Sequence, residues 1–256
     1  MLEVGCGSGI DVLLVGLYPE LPLFEPGERG KRTRRLAREV LEKRQLRDHV
    51  REVLESRPIR FAIMDATLMG FPDDSFDFLW SRAAMLEIMP LEKALTEMAR
   101  VVRPGGLIYH NIHPYFWIRG CYKTGLVDIP WAHARLSPAE FRRFATESEG
   151  EATAIRRCQG LKTLNQFTLR QWRKMIGAGP FEILEWKEDR CSFAERLLEE
   201  HPDAKDSLLE GVEPRDLIHG GIKVWLRKKD HRANEDEDVS SVPVDDRSSP
   251  KLPVKG

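Results

Sequence analysis

Three glycines at alternate positions, Gly5, Gly7 and Gly9, sit in the opening run M-L-E-V-G-C-G-S-G. Glycine at such spacing lets a chain turn sharply through positive φ and lets a ligand approach closer than a Cβ would permit. The run I-D-V-L-L-V-G-L that follows is read as a helix, whose N-terminus would offer unpaired N–H groups to a carboxylate or phosphate. Carboxylates stand at intervals around this turn: Glu3 two residues before the first glycine, Glu25 twenty after it, and Asp65 further on. A carboxylate at a strand end can accept hydrogen bonds from both hydroxyls of a ribose, which suits Glu25. Three histidines, His110, His113 and His133, could act as a general base.

These residues need elements to hold them. Met1 to Gly9 read as a strand running into a tight turn. Leu21 to Glu25 follow as a short second strand broken by Pro26 and Gly27. The charged stretch from Glu28 to Arg57 reads as helix, with Leu36, Val40 and Leu41 at core spacing. Its many arginines interleave with Glu28, Glu39 and Glu42, which favours a solvated helix face over a nucleic-acid surface. Arg60 to Met64 is expected to be a third strand ending at Asp65-Ala66. Phe76, Phe78 and Trp80 alternate as in a fourth. Pro90 to Val102 carries a helical apolar stripe that R-P-G-G should end and turn. Leu107 to Ile112 reads as a buried fifth strand, and Thr168 to Ile176 as a helix with a threonine N-cap. Phe181 to Trp186 and Gly221 to Leu226 supply two closing strands.

The run E-V-G-C-G-S-G resembles the first motif of the class I S-adenosylmethionine-dependent methyltransferases. F-P-D-D-S-F-D (71–77) and R-P-G-G (103–106) are similar to two further habits of that family, in the same order. The resemblance implies a doubly wound, mostly parallel α/β sheet of Rossmann-like methyltransferase type with a C-terminal antiparallel strand pair. It implies S-adenosyl-L-methionine as cofactor, S-adenosyl-L-homocysteine as product, and Glu3, Gly5, Cys6, Gly7, Gly9, Glu25, Pro26, Asp65, Ala66 and Ser81 as the cofactor-binding set. In that family the loop passes under the methionine part, Glu25 would hold the ribose, and Asp65 would accept from the adenine amino group. A nicotinamide-binding fingerprint would instead want a third glycine at position 10, where Ile10 stands. The family also has a helix and half a strand ahead of the glycine motif, so the expectation is a fold shortened at its N-terminus.

Methyl transfer from a sulfonium is an in-line displacement, so the task is to align acceptor, methyl and sulfur and to exclude water. An oxygen acceptor usually needs a base, and His110 and His113 at the end of the fifth strand are the best placed, with His133 third. Ligands bind beyond the carboxyl ends of parallel strands, which adds Ser81, Arg82 and Asn111 to the acceptor-side wall. Residues 113–167 read as an insertion over the acceptor region. Its Tyr115, Phe116, Trp117, Tyr122 and Trp131 suit either a lid or a packed loop. H-P-Y-F and D-I-P-W-A-H look like a pattern of glycan-related methyltransferases, making a sugar or glycan precursor the lead acceptor. The motif used on exocyclic base amines is missing after the fourth strand, where W-S-R-A stands, so nucleic acid is disfavoured.

The whole sequence sets the outer bounds. Its 256 residues allow a methyltransferase domain over 1–227 and a tail over 228–256. The tail has few large apolar residues and is expected to be disordered. With 40 basic and 41 acidic side chains there is no bulk field to recruit polyanions. The four cysteines form no C-x-x-C pair, so no metal site or disulfide framework is indicated. An H-x-x-H pair at 110 and 113 is disfavoured as a metal site because those residues fall on opposite sides of a strand. No apolar run is long enough to cross a membrane, and the expected location is cytoplasmic. A chain that binds cofactor or a partner without catalysis is the alternative function.

Overall fold

The computed structural model describes residues 1–5, 60, 62–121 and 128–229. Within them five strands form one mixed sheet: β1 (Leu2–Val4), β2 (Phe76–Arg82), β3 (Val102–Ile112), β4 (Phe181–Arg190) and β5 (His219–Lys228), in spatial order β1-β2-β3-β5-β4. β1, β2 and β3 are parallel, and β5 runs antiparallel to both β3 and β4. This is the expected Rossmann-like arrangement, with the closing pair folded back beside the parallel strands.

The crossover between β2 and β3 is helix α1 (Leu91–Val101). Leu91, Ala94, Leu95, Met98 and Ala99 recur at helical spacing and are all buried. They pack with Val4, Leu79, Ile108, Ile112, Ile222, Val224 and Leu226 of the sheet. Each leucine, isoleucine, valine or methionine among them contributes about 2 kcal/mol by leaving water, so this face is what holds the strand ends in place.

R-P-G-G does end the helix, yet it turns the chain inside a strand and not before one. Between Phe76↔Val102 and Phe78↔Leu107, β2 advances two residues while β3 advances five, so Arg103–Gly106 bulges out of the ladder. Gly105 takes φ 72° there, a value that favours glycine. Arg103 Nε donates to Asp77 Oδ1 across the bulge at 2.5 Å.

The expected third strand is not formed by its described residues. Arg60 and 62–64 make no ladder, and Ile63 is fully exposed. The described sheet edge on that side is β1, three residues long, which offers little ladder to a further strand. The second strand, the helical stretch 28–57 and the C-terminal tail beyond Lys229 lie outside the described residues.

The described residues of 113–167 include three helices: α2 (Ala132–Arg135), α3 (Pro138–Glu149) and α4 (Glu151–Lys162). Ser137 caps α3 with Glu140 in a reciprocal capping box. The next helix, α5 (Leu169–Gly177), has the expected Thr168 cap, closed by Gln171. A second excursion was not anticipated. Between β4 and β5 come α6 (Ser192–Glu200), a 3₁₀ turn (Pro202–Lys205) and α7 (Pro214–Ile218). The two excursions share one core of Leu86, Tyr115, Phe116, Trp131, Phe141, Leu161, Leu198 and Leu217. Trp131 Nε1 donates to the Leu217 carbonyl at 3.0 Å, tying one to the other.

Ile112 pairs with Ile222, and Ile222 with Glu188, so the ends of β3 and β4 and the start of β5 are level. Both excursions therefore leave the sheet at its carboxyl edge. They form a helical cap there with a core of its own.

Candidate active site

The site begins where β1 and β2 end side by side, with Val4 paired to Ser81. Gly5 follows with φ 76°, and a Cβ on it would lie 2.2 Å from Ala84 Cβ. Ala83 also holds a positive φ of 57°, costly for a residue with a Cβ, and its N–H donates to the Asn111 carbonyl at 2.8 Å. The ends of β1, β2 and β3 are thus joined by small residues and backbone.

Glu3 lies on β1 opposite Trp80 and is half-buried. Asp65 is exposed; its Oδ1 accepts from Thr67 N and Thr67 Oγ1, each at 2.8 Å. Those two bonds hold its carboxyl below the usual carboxylate range. The group is an ionised acceptor whose second oxygen has no hydrogen bond among the described residues. Ala66 follows in the same turn, half-buried. Cys6, Gly7, Gly9, Glu25 and Pro26 lie outside the described residues.

Ser81 and His110 are paired across β2 and β3 and fully buried, with Oγ to Nδ1 at 2.8 Å. Their strand positions place them with Leu79, Ile108 and Ile112 on the face that α1 covers. Burial pushes the His110 imidazole down to about 3, so it is neutral. Sequence reasoning expected both residues on an accessible wall; the β alternation instead sends them into the core.

His113 differs. It stands one residue past the end of β3, half-buried, at the edge where the cap begins. Burial lowers its pKa, and the nearby Arg82 charge lowers it further. A neutral imidazole at a strand end can accept a proton. His133, the third candidate, is buried inside the cap, pushed down to about 4, and its Nε2 lies 3.2 Å from the Trp117 carbonyl. That contact pins the 115–117 turn. Tyr115, Phe116 and Trp131 are likewise buried core of the cap.

One positioning group went unread in the sequence. Arg100, in the last turn of α1, donates to both oxygens of Glu97, to the Met69 and Phe71 carbonyls, and to Asp73, all at 2.7–2.8 Å. Glu97 in turn accepts from Met69 N at 2.9 Å. The pair clamps the loop that links Asp65 to β2. Its signal was a Glu and an Arg three apart on a helix, a pattern that usually means only a surface pair. Among the described residues no cluster of His, Cys, Asp and Glu could hold a metal ion.

Residues 2–110 match the sequence profile of a family described as "Methyltransferase domain". Methyltransferase GfsG of Streptomyces halstedii is 36% identical over 106 residues, which is 41% of this chain and 34% of that protein. The chain thus matches about a third of the length of that curated relative. Among solved structures, an S-adenosylmethionine-dependent methyltransferase from Mesorhizobium loti matches at 14% identity and TM-score 0.43, over 88% of this chain and 89% of that one. The [4+2]-cyclase SpnF matches at 18% identity and TM-score 0.43, over 89% and 73%. The segment over residues 2–110 is thus similar to a methyltransferase domain.

The described residues fit S-adenosylmethionine, the cofactor that the sequence resemblance implies. At Gly5 the turn presents backbone, and a Cβ there would collide with Ala84. Asp65 is an ionised acceptor with an oxygen to spare. No helix among the described residues is long and apolar enough to cross a membrane.

Proposed function

We propose that this chain catalyses methyl transfer to a small-molecule acceptor, with a sugar or glycan precursor as the first class to test. The observation that supports this most is the junction of Gly5 with Ala83–Ala84 at the carboxyl ends of β1 and β2, inside the segment that matches the family. Glu3, Gly5 and Asp65, with Cys6, Gly7, Gly9, Glu25, Pro26 and Ala66 by family resemblance, would hold the cofactor. When bound, the cofactor supplies an electrophilic methyl on a sulfonium. The chain's own residues then have three tasks: aligning the acceptor, excluding water, and taking up a proton if the acceptor is a hydroxyl.

His113 is the base that the geometry favours, because it is neutral and lies at the strand end beneath the cap. His110 is sealed in the core with Ser81 and serves position. The two-excursion cap supports water exclusion, since it rises from the edge where the site lies.

Calorimetric titration with S-adenosylmethionine and S-adenosylhomocysteine, with a nicotinamide dinucleotide as control, tests the reading. Micromolar binding of the first two alone is expected, followed by turnover with sugar acceptors. Cofactor binding with no methylation of any acceptor would favour the non-catalytic alternative. Absence of cofactor binding would sink the proposal.

A further inference from the structure

A cleft of about 520 Å³ lies at the outer edge of the sheet, lined by Leu169, Arg170, Arg173, Lys174, Glu188, Glu213 and Arg215. Its volume is within the range of small-molecule sites. Four of the seven lining residues are cations and two are carboxylates.

Both carboxylates are already engaged. Glu188 accepts from Trp186 Nε1 at 2.9 Å and from Arg215, and Glu213 caps α7 by accepting from the Asp216 backbone N–H. Arg173 lies over the Trp186 ring, 5.3 Å from its centroid. Arg170, Arg173 and Lys174 have no ion-pair partner among the described residues. They fall at i, i+3 and i+4 on α5, so they share one helix face.

The end of α5 itself is not the attraction. Its first N–H, from Leu169, is taken by the buried Asp216 carboxylate at 2.7 Å, and that of Gln171 by the Thr168 hydroxyl. What remains is an excess of two positive charges among the lining residues. A phosphoryl group carries about two negative charges and several acceptor oxygens, which matches that excess; a carboxylate carries one.

The cleft also has a place relative to the site. Glu188 is level with Ile112 through Ile222, so it opens at the carboxyl edge. It lies two strands beyond β3, about 10 Å across the sheet. We infer that this cleft binds the phosphoryl group of a phosphorylated small molecule, and that the molecule is the methyl acceptor held by its distal end. The second clause rests on the proposed methyl transfer; the first does not.

Inorganic pyrophosphate is the probe, followed by calorimetry and tryptophan fluorescence on the full chain, with acetate as control. Saturable one-to-one binding is expected. Arg170→Gln/Lys174→Gln should weaken it at least tenfold, while the same variant binds S-adenosylmethionine as the parent does. Trp186→Phe should remove the fluorescence change while calorimetric binding persists. Both lysine and arginine heads are exposed, and circular dichroism checks that the variants fold. Non-saturable binding, equal affinity for acetate, an unchanged affinity in the double variant, or displacement of S-adenosylmethionine by pyrophosphate would each overturn the inference. Pyrophosphate binding without cofactor binding would overturn the methyl-transfer reading alone; the reverse would overturn only the cleft.

Discussion

Ser81 Oγ and His110 Nδ1 lie 2.8 Å apart where neither side chain meets solvent. The imidazole is neutral, so one member donates and the other accepts, and neither has a second side-chain partner there. Removing the hydroxyl leaves a buried ring nitrogen unpaired, at a cost of about 1–3 kcal/mol. Ser81→Ala should therefore lower the thermal midpoint by roughly 2–12 °C. Ser81→Ala/His110→Phe, which removes both polar partners, should recover part of that loss. Calorimetric melting of the three variants checks it, and a Ser81→Ala protein as stable as the parent would remove the pair from the structural argument.

Acid should unfold the protein early. His110, His113 and His133 all have lowered pKa values, to about 3 for His110 and about 4 for His133, with burial the leading cause in each. The unfolded chain takes protons near the ordinary value of 6.5 while the fold does not, so it binds more protons below that pH. Stability is then full above about 6.5 and falls as pH drops toward 4 and 3, by about 1.4 kcal/mol per pH unit for each histidine fully charged in the unfolded state. Urea midpoints at pH 7.5 and 5.0 measure the loss. It should shrink in His110→Phe; a loss of the same size in that variant would count against this origin.

The parts legible in the sequence were those fixed by local chemistry. Alternating Phe76, Phe78 and Trp80, the apolar stripe from Leu91 to Met98 and the Thr168 cap each formed the expected element, because period and capping act within a few residues. What failed depended on distant partners. Arg60 to Met64 has a strand's composition, yet a strand exists only where a neighbour offers a ladder. Ser81 and His110 occupy strand ends, and only the register between β2 and β3 shows that they face the core. The 192–218 excursion contributes Leu198 and Leu217 to a core whose other half lies more than 30 residues earlier. Trp131 meets Leu217 across that gap, and no local pattern announces it.

Arg100 and Glu97 should matter to the loop more than to the helix they share. Glu97 is held down to about 2, chiefly by the Arg100 guanidinium. A depressed carboxylate contributes its stability above about 4.5 and loses it as pH falls toward 2. Arg100→Met keeps the aliphatic stem and the helix while freeing the Met69 and Phe71 carbonyls. The expected result is faster hydrogen exchange across residues 65–73, by tenfold or more, with α1 amides little changed. Uniform protection in both segments would show that the clamp has no such role.

Gly5→Ala offers the sharpest separation of site from scaffold. The added methyl meets two obstacles: φ 76° disfavours a residue with a Cβ, and Ala84 Cβ stands 2.2 Å from where the new atom would be. The turn must open or β2's end must shift, and the shift falls on Ala83, already held at positive φ by Asn111. The conformational cost alone is about 1–2 kcal/mol, and β1 is short enough to absorb displacement without global unfolding. Cofactor affinity, which depends on the backbone path at this turn, should drop at least tenfold while the thermal midpoint falls by only a few degrees. Ala84→Gly removes the collision and leaves the φ requirement. Gly5→Ala/Ala84→Gly should therefore recover some affinity but not all, and full recovery would show that contact, and not backbone conformation, decides the residue at position 5. An unchanged affinity in Gly5→Ala would place the cofactor away from the β1–β2 junction.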